Sequence, residues 1–120
     1  MSFVFNATKS KKIYIAQGER ENVRLAVNDL MKDIQRVCGG AVLTEIYDDA
    51  DIVVASKQSV EFVEISAGKV AFTKEEEFCY RIENSRLYLF GADDLGTMWA
   101  IYAFAENELK IPPFYIFEDI

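Results

Sequence analysis

The side chains of this chain that could do chemistry are few, and the first group is a glycine-flanked pair of carboxylates. It reads Gly91-Ala92-Asp93-Asp94-Leu95-Gly96-Thr97. A glycine turn between a strand and a helix is the setting of dinucleotide-binding loops, where the backbone closes on a pyrophosphate. Here the position that must be glycine for that approach holds Asp93, and a second anion, Asp94, follows it. Two carboxylates at a helix N-terminus take the place that a phosphate would occupy. They suit a helix cap instead, with Asp93 or Asp94 complementing the helix dipole. Gly91 then permits a backbone turn, and Gly96 lets the helix approach the sheet. Neighbouring residues at a helix start also point apart, whereas the two carboxyl groups of a glycosidase face each other across the bond they cleave.

The remaining candidates are weaker. The 120 residues contain no histidine, which removes Ser-His and Cys-His nucleophile pairs and the commonest metal ligand. Cys38 and Cys79 are far apart and fit buried thiols better than a disulfide framework. Asp48, Asp49 and Asp51 lack the glycine and glutamate spacing of a calcium loop and read as a solvated strand entry. Glu75-Glu76-Glu77 reads as an exposed loop. No catalytic residue, cofactor or metal site is expected. The formal net charge of −7 argues against nucleic acid, and Lys9, Lys11 and Lys12 read as a solvated strand edge. No apolar stretch is long enough to span a membrane, and no signal peptide is visible, so a cytoplasmic location is expected.

A composition of 51% hydrophobic and 28% charged residues predicts an ordinary globular fold, and the length predicts one domain over residues 1–120. Residues 12–16 (KIYIA) alternate as a strand, with another at 3–5. Val23, Val27, Leu30, Ile34 and Val37 recur at helical steps, widened by Ala26, Met31 and Cys38, and Gly39-Gly40 closes the run. Residues 51–55 (DIVVA) form a continuous apolar run that fits a strand buried on both faces and completes a βαβ crossover. A short helix is expected within 58–65. Residues 78–83 and 86–90 read as a hairpin across Asn84-Ser85, with Tyr80 and Ile82 facing Leu87 and Leu89. A second helix runs from Asp93 or Asp94 to Leu109, with Leu95, Met98, Tyr102, Ala105 and Leu109 on one face. Pro112-Pro113 stop it, and an aromatic strand follows at 114–117. The fold class this predicts is α+β: a mixed sheet with two main helices packed on it. Trp99, Tyr102 and Phe104 with Phe114, Tyr115 and Phe117 make a dense aromatic group. It serves either the core or an interface, with Trp99, Tyr102, Phe114, Tyr115 and Phe117 as the candidate interface residues.

Residues 87–102 (LYLFGADDLGTMWAIY) resemble the pattern strand, G-x-D-x-x-G-T-x-[YW]-[GA]-I-Y, which closes the N-terminal domain of the α-glucuronidases of glycoside hydrolase family 115. Residues 105–115 (AENELKIPPFY) are similar to the family segment S-E-x-[LI]-x-[VI]-x-P-x-Y. Val23, Ala26, Asp29-Leu30, Asp33-Ile34, Val37 and Gly39 match the pattern of its first helix, and residues 50–54 (ADIVV) match its strand A-D-I-[VI]-[VI]. Similar domains precede the barrel in family 67 α-glucuronidases and in β-hexosaminidases. The family glycine after the aromatic residue is Ala100 here. The resemblance implies a β-hexosaminidase N-terminal-domain-like α/β sandwich that packs on a catalytic (β/α)8 barrel. The acids that cleave the glycoside lie in that barrel, which needs ~250 residues. No catalytic residue carries over to this chain. The implied role is a non-catalytic accessory domain of a carbohydrate-active hydrolase that removes glucuronic acid side groups from xylan. The alternative is a free-standing binding module, or a homo-oligomer assembled through the aromatic C-terminal segment.

Overall fold

The structure, a computed structural model, describes residues 11–37, 40–57, 59–66, 70, 72–83 and 86–108. Among these, five strands form one sheet in the order β2-β1-β3-β5-β4. They are β1 (Lys11–Ile15), β2 (Ala41–Leu43), β3 (Ile52–Ser56), β4 (Phe78–Glu83) and β5 (Arg86–Gly91). β1 pairs parallel with both β2 and β3, β3 pairs parallel with β5, and β4 alone runs antiparallel, against β5. The helices are α1 (Glu21–Val37), α2 (Phe62–Ser66) and α3 (Asp94–Glu108), with a 3-10 turn at Tyr47–Asp49. This is the expected α+β arrangement on a mixed sheet.

The period-two pattern of each strand sorts the side chains into two cores. Ile13, Ile52, Val54, Leu87 and Leu89 point to one face, where Val23, Ala26, Val27, Leu30 and Ile34 of α1 and Ala100, Ile101 and Phe104 of α3 cover them. Tyr14, Val53, Ala55 and Phe90 point to the other, over Ala50 and Phe62. Burying each aliphatic side chain of this kind contributes about 1.5–3 kcal/mol. All five residues of β3 are buried, as its unbroken apolar run requires for a strand covered on both sides.

Two features depart from the sequence reading. The crossover from β1 through α1 lands on the three-residue strand β2, which the periodicity does not reveal; β3 then lies on the far side of β1. On α3 the fully buried positions are Thr97, Ala100, Ile101 and Phe104, whereas Leu95, expected to share a face with the buried Ala105, is 42% exposed. This helix is apolar around most of its circumference, so spacing alone does not select a face. The short helix expected within 58–65 forms over Phe62–Ser66. The hairpin is confirmed in register, Tyr80 opposite Leu89 and Ile82 opposite Leu87. The expected strands at 3–5 and 114–117, the Asn84-Ser85 turn, Gly39, Cys38, Leu109 and Pro112-Pro113 lie outside the described residues.

Candidate functional site

The carboxyl ends of β1, β3 and β5 lie side by side, and the polar residues just beyond them form the best-organised cluster in the fold. In open sheets with parallel strands a ligand crevice opens where neighbouring strands send their connections to opposite sides. Here β1 leads into α1 on one face, and β3 leads toward α2 on the other. The crevice between their ends is filled by the chain's own carboxylates. Glu19, 8% exposed, accepts hydrogen bonds from the Ser56 backbone N–H (2.7 Å) and from Ser56 Oγ (2.9 Å). Glu61 accepts from the Gln17 N–H (2.9 Å) and the Tyr14 hydroxyl (2.8 Å), while Ser59 Oγ donates to the Gln17 carbonyl. Burial pushes the Glu19 carboxyl above its ordinary value against the lowering pull of the Ser56 donors. Burial and the Glu61 hydrogen bond push the Tyr14 hydroxyl up to about 12. Two carboxyl groups thus stand where an anionic ligand would sit.

At the end of β5 the Gly91–Thr97 motif resolves into a cap. Asp93 Oδ1 accepts from the Gly96 N–H (2.8 Å), the third residue of the N-terminal turn, and Oδ2 accepts from the Glu76 N–H (3.1 Å). Thr97 donates its hydroxyl to the Asp93 carbonyl (2.9 Å) and is fully buried. Of the two acids, Asp93 is therefore the cap. Asp94 instead accepts from Asn22 Nδ2 (2.8 Å), a bond that holds its carboxyl below the ordinary range and ties the start of α3 to that of α1.

The glycines are needed for closeness. A Cβ on Gly91 would lie 2.0 Å from the Thr97 nitrogen, and one on Gly96 would lie 2.3 Å from the Glu77 carbonyl. Gly91 has no positive φ, so the turn expected of it gives way to close packing against the helix; only Gly18 and Gly40 among the described glycines take the left-handed conformation.

The aromatic candidates divide. Trp99 is 47% exposed, with its indole N–H donating to Glu76 Oε1 (3.2 Å). Tyr102 packs against the main core and donates its hydroxyl to Asp29 (2.9 Å), which spends it inside the fold. Phe114, Tyr115 and Phe117 lie outside the described residues. Among the described residues no three His, Cys, Asp or Glu side chains gather to hold a metal, and no helix is long and apolar enough to cross a membrane. Burial raises the Cys79 thiol, which keeps it protonated and weakly nucleophilic. Asp48 and Asp49 are exposed in the 3-10 turn, and Asp51 is spent on the Lys12 N–H.

Compared by sequence, the chain matches no protein-family model and no curated protein. Compared by structure, it matches a solved family GH115 4-O-methyl-α-glucuronidase with specificity for decorated arabinogalactans. The TM-score is 0.85 at 21% identity, over 98% of this chain. The chain has the fold of one part of that enzyme. It spans 16% of the enzyme's length. The neighbour belongs to the same family whose motifs residues 87–102 resemble, and at this identity the likeness shows the fold alone. The Glu19–Ser56 and Asn22–Asp94 clips escaped the sequence reading, because Glu19, with Glu21 two residues on, reads as an ordinary helix-start charge. Only the sheet order brings Ser56 beneath it.

Proposed function

We propose that this chain is a non-catalytic accessory domain of a larger carbohydrate-active hydrolase, packing beside a catalytic (β/α)8 barrel. The observation that carries the reading is a fold shared over 98% of this chain with an α-glucuronidase of which it spans 16%. The chemistry of the described residues agrees with it. Asp93 is spent on a cap, Glu19 on Ser56 and Glu61 on Tyr14. The parent reaction would be removal of glucuronic acid groups from a xylan or arabinogalactan side chain. Leu95 and Trp99, four residues apart on the outer face of α3 and both exposed, supply an apolar surface of the kind that docking covers.

Activity and gene context test this together. The 120-residue chain should release no sugar from glucuronoxylan, decorated arabinogalactan or aryl glycosides, and the coding sequence should continue into a barrel. Turnover that co-purifies with the chain would sink the non-catalytic reading. A reading frame without barrel sequence would sink the parent enzyme.

A further inference from the structure

A second place in the fold has the makings of a binding site, and it is independent of the docking role. β2 ends early: its last pairing is Leu43 opposite Ile13, while β1 runs on to Ile15. The Ala16 N–H donates to the Val54 carbonyl (2.9 Å), so the neighbouring N–H and C=O of Ile15 are turned away from β3 toward the side that β2 has left. The ladder makes one further bond, from the Thr44 N–H to the Ile13 carbonyl (2.9 Å), and among the described residues none to Ile15 from that side. The chain then diverges, and an open cleft of about 720 Å³ lies along the end of β1, lined by Gln17, Arg24, Leu43, Thr44 and Glu45 beside Ile15. That volume is in the range of small-molecule sites, roughly 300–1,000 Å³.

Its charged groups enter no bonded pair. Arg24 and Glu45 line the same cleft, yet among the described residues neither enters an ion pair or a side-chain hydrogen bond. Elsewhere around these strand ends the carboxylates are committed, Glu19 to Ser56 and Glu61 to Tyr14 and Gln17. Thr44 Oγ1 accepts from the Ile46 N–H (3.1 Å), which leaves its proton to donate. The Arg24 guanidinium feels the Glu19 carboxylate nearby but is bonded to no acceptor among the described residues, and a guanidinium so placed is suited to a carboxylate or phosphate, which it grips with two parallel bonds. Gln17, the Thr44 hydroxyl and the backbone of Ile15 offer a mixture of donors and acceptors that hydroxyl groups satisfy. Glu45 accepts only, so it takes hydroxyl protons and repels an anion placed at its end, which fixes the ligand's direction.

We propose that this cleft binds a small polyhydroxylated anion, with the acidic group on Arg24 and the hydroxyls toward Glu45, Gln17 and Thr44. A sugar acid and a sugar phosphate share that chemistry. The experiment titrates the 120-residue chain with galacturonate, galactose 6-phosphate and galactose while amide resonances are followed by NMR. At least one of the two anions should bind with a Kd of about 1 mM or tighter, shifting the amides of Ile15–Gln17 and Thr44–Glu45, and galactose should bind about tenfold more weakly or worse. Whichever anion binds identifies the source. Arg24→Gln should reduce that anion to the galactose level, Arg24→Lys should fall between, and Phe78→Tyr on β4, at the far edge of the sheet, should change nothing. Arg24 is exposed, so both variants should keep the wild-type spectrum away from the cleft. The proposal is overturned if neither anion moves these amides, if galactose binds as well as the anions, or if Arg24→Gln binds like wild type.

Discussion

Replacing Gly91 by alanine separates the two readings of the Gly91–Thr97 motif. If the glycine exists to let a ligand approach, an added methyl group harms binding and spares the fold. If it exists to let α3 seat on the end of β5, the fold itself suffers. The new Cβ would lie 2.0 Å from the Thr97 nitrogen and 2.4 Å from the Gly96 carbonyl carbon, both backbone atoms that no rotamer change can move. The Thr97 N–H is bonded to the Asp93 carbonyl (3.0 Å), so relief means opening the first turn of α3. Overpacking of this kind costs typically 1–3 kcal/mol and occasionally more, and contact with rigid backbone places Gly91→Ala at about 3 kcal/mol or above. An unfolding entropy of about 2.1 cal/mol/K per residue amounts to about 0.25 kcal/mol/K for this length, so the midpoint should fall by about 12 °C. Gly18→Ala is the control. Gly18 has φ +86 with nothing within 4 Å of a Cβ, so only the left-handed penalty of about 1–2 kcal/mol applies, or about 4–8 °C. Circular dichroism melts of the two variants decide it. A Gly91→Ala midpoint within about 2 °C of wild type, or above that of Gly18→Ala, would refute the packing argument.

Two further outcomes follow from the same geometry. Asp93→Ala removes the cap on Gly96 and the bond to Glu76 together, and should cost about 1–2 kcal/mol in chemical denaturation; a loss confined to a few tenths would show that Asp93 is not the cap. Asp33 is 3% exposed with Oδ1 lacking a hydrogen-bond partner among the described residues, and burial raises its carboxyl above the ordinary value, with Asp29 adding to the rise. A raised folded-state pKa means the unfolded chain sheds its proton first, so Asp33 takes away stability as pH climbs from the unfolded value toward the folded one. Asp33→Asn should therefore gain on wild type as pH rises above the ordinary carboxylate value of about 4, and a difference that stays flat as pH rises from there contradicts the assignment.

Much of the fold was legible in short-range pattern. The three- and four-residue steps from Val23 to Ile34 define α1, because a buried stripe on a helix must repeat that way. The apolar run of β3 announced a strand covered on both faces, and the alternation in β4 and β5 encodes their register. The motif at Gly91–Thr97 announced a capped helix, since the two carboxylates exclude a phosphate from its start. The sequence left open which acid was the cap; Asp94 proved to answer to Asn22, a residue far off in the chain.

The remaining facts depend on contacts between distant segments, which no local period encodes. Three residues, Ala41–Leu43, are too few to show a period, yet their position beside β1 sets the sheet order and opens the cleft beyond Leu43. The inner face of α3 is set by what lies beneath it, because its apolar residues surround the helix. Gly91 and Gly96 are small because Thr97 and Glu77 press against them, and Glu19 is a buried anchor because Ser56 ends the strand alongside. The sequence by itself determined α1, the strands β1 and β3, the β4–β5 hairpin, and that the paired aspartates begin a helix. The tertiary structure alone decided which charges are spent within the fold and which, at Arg24 and Glu45, are left facing solvent.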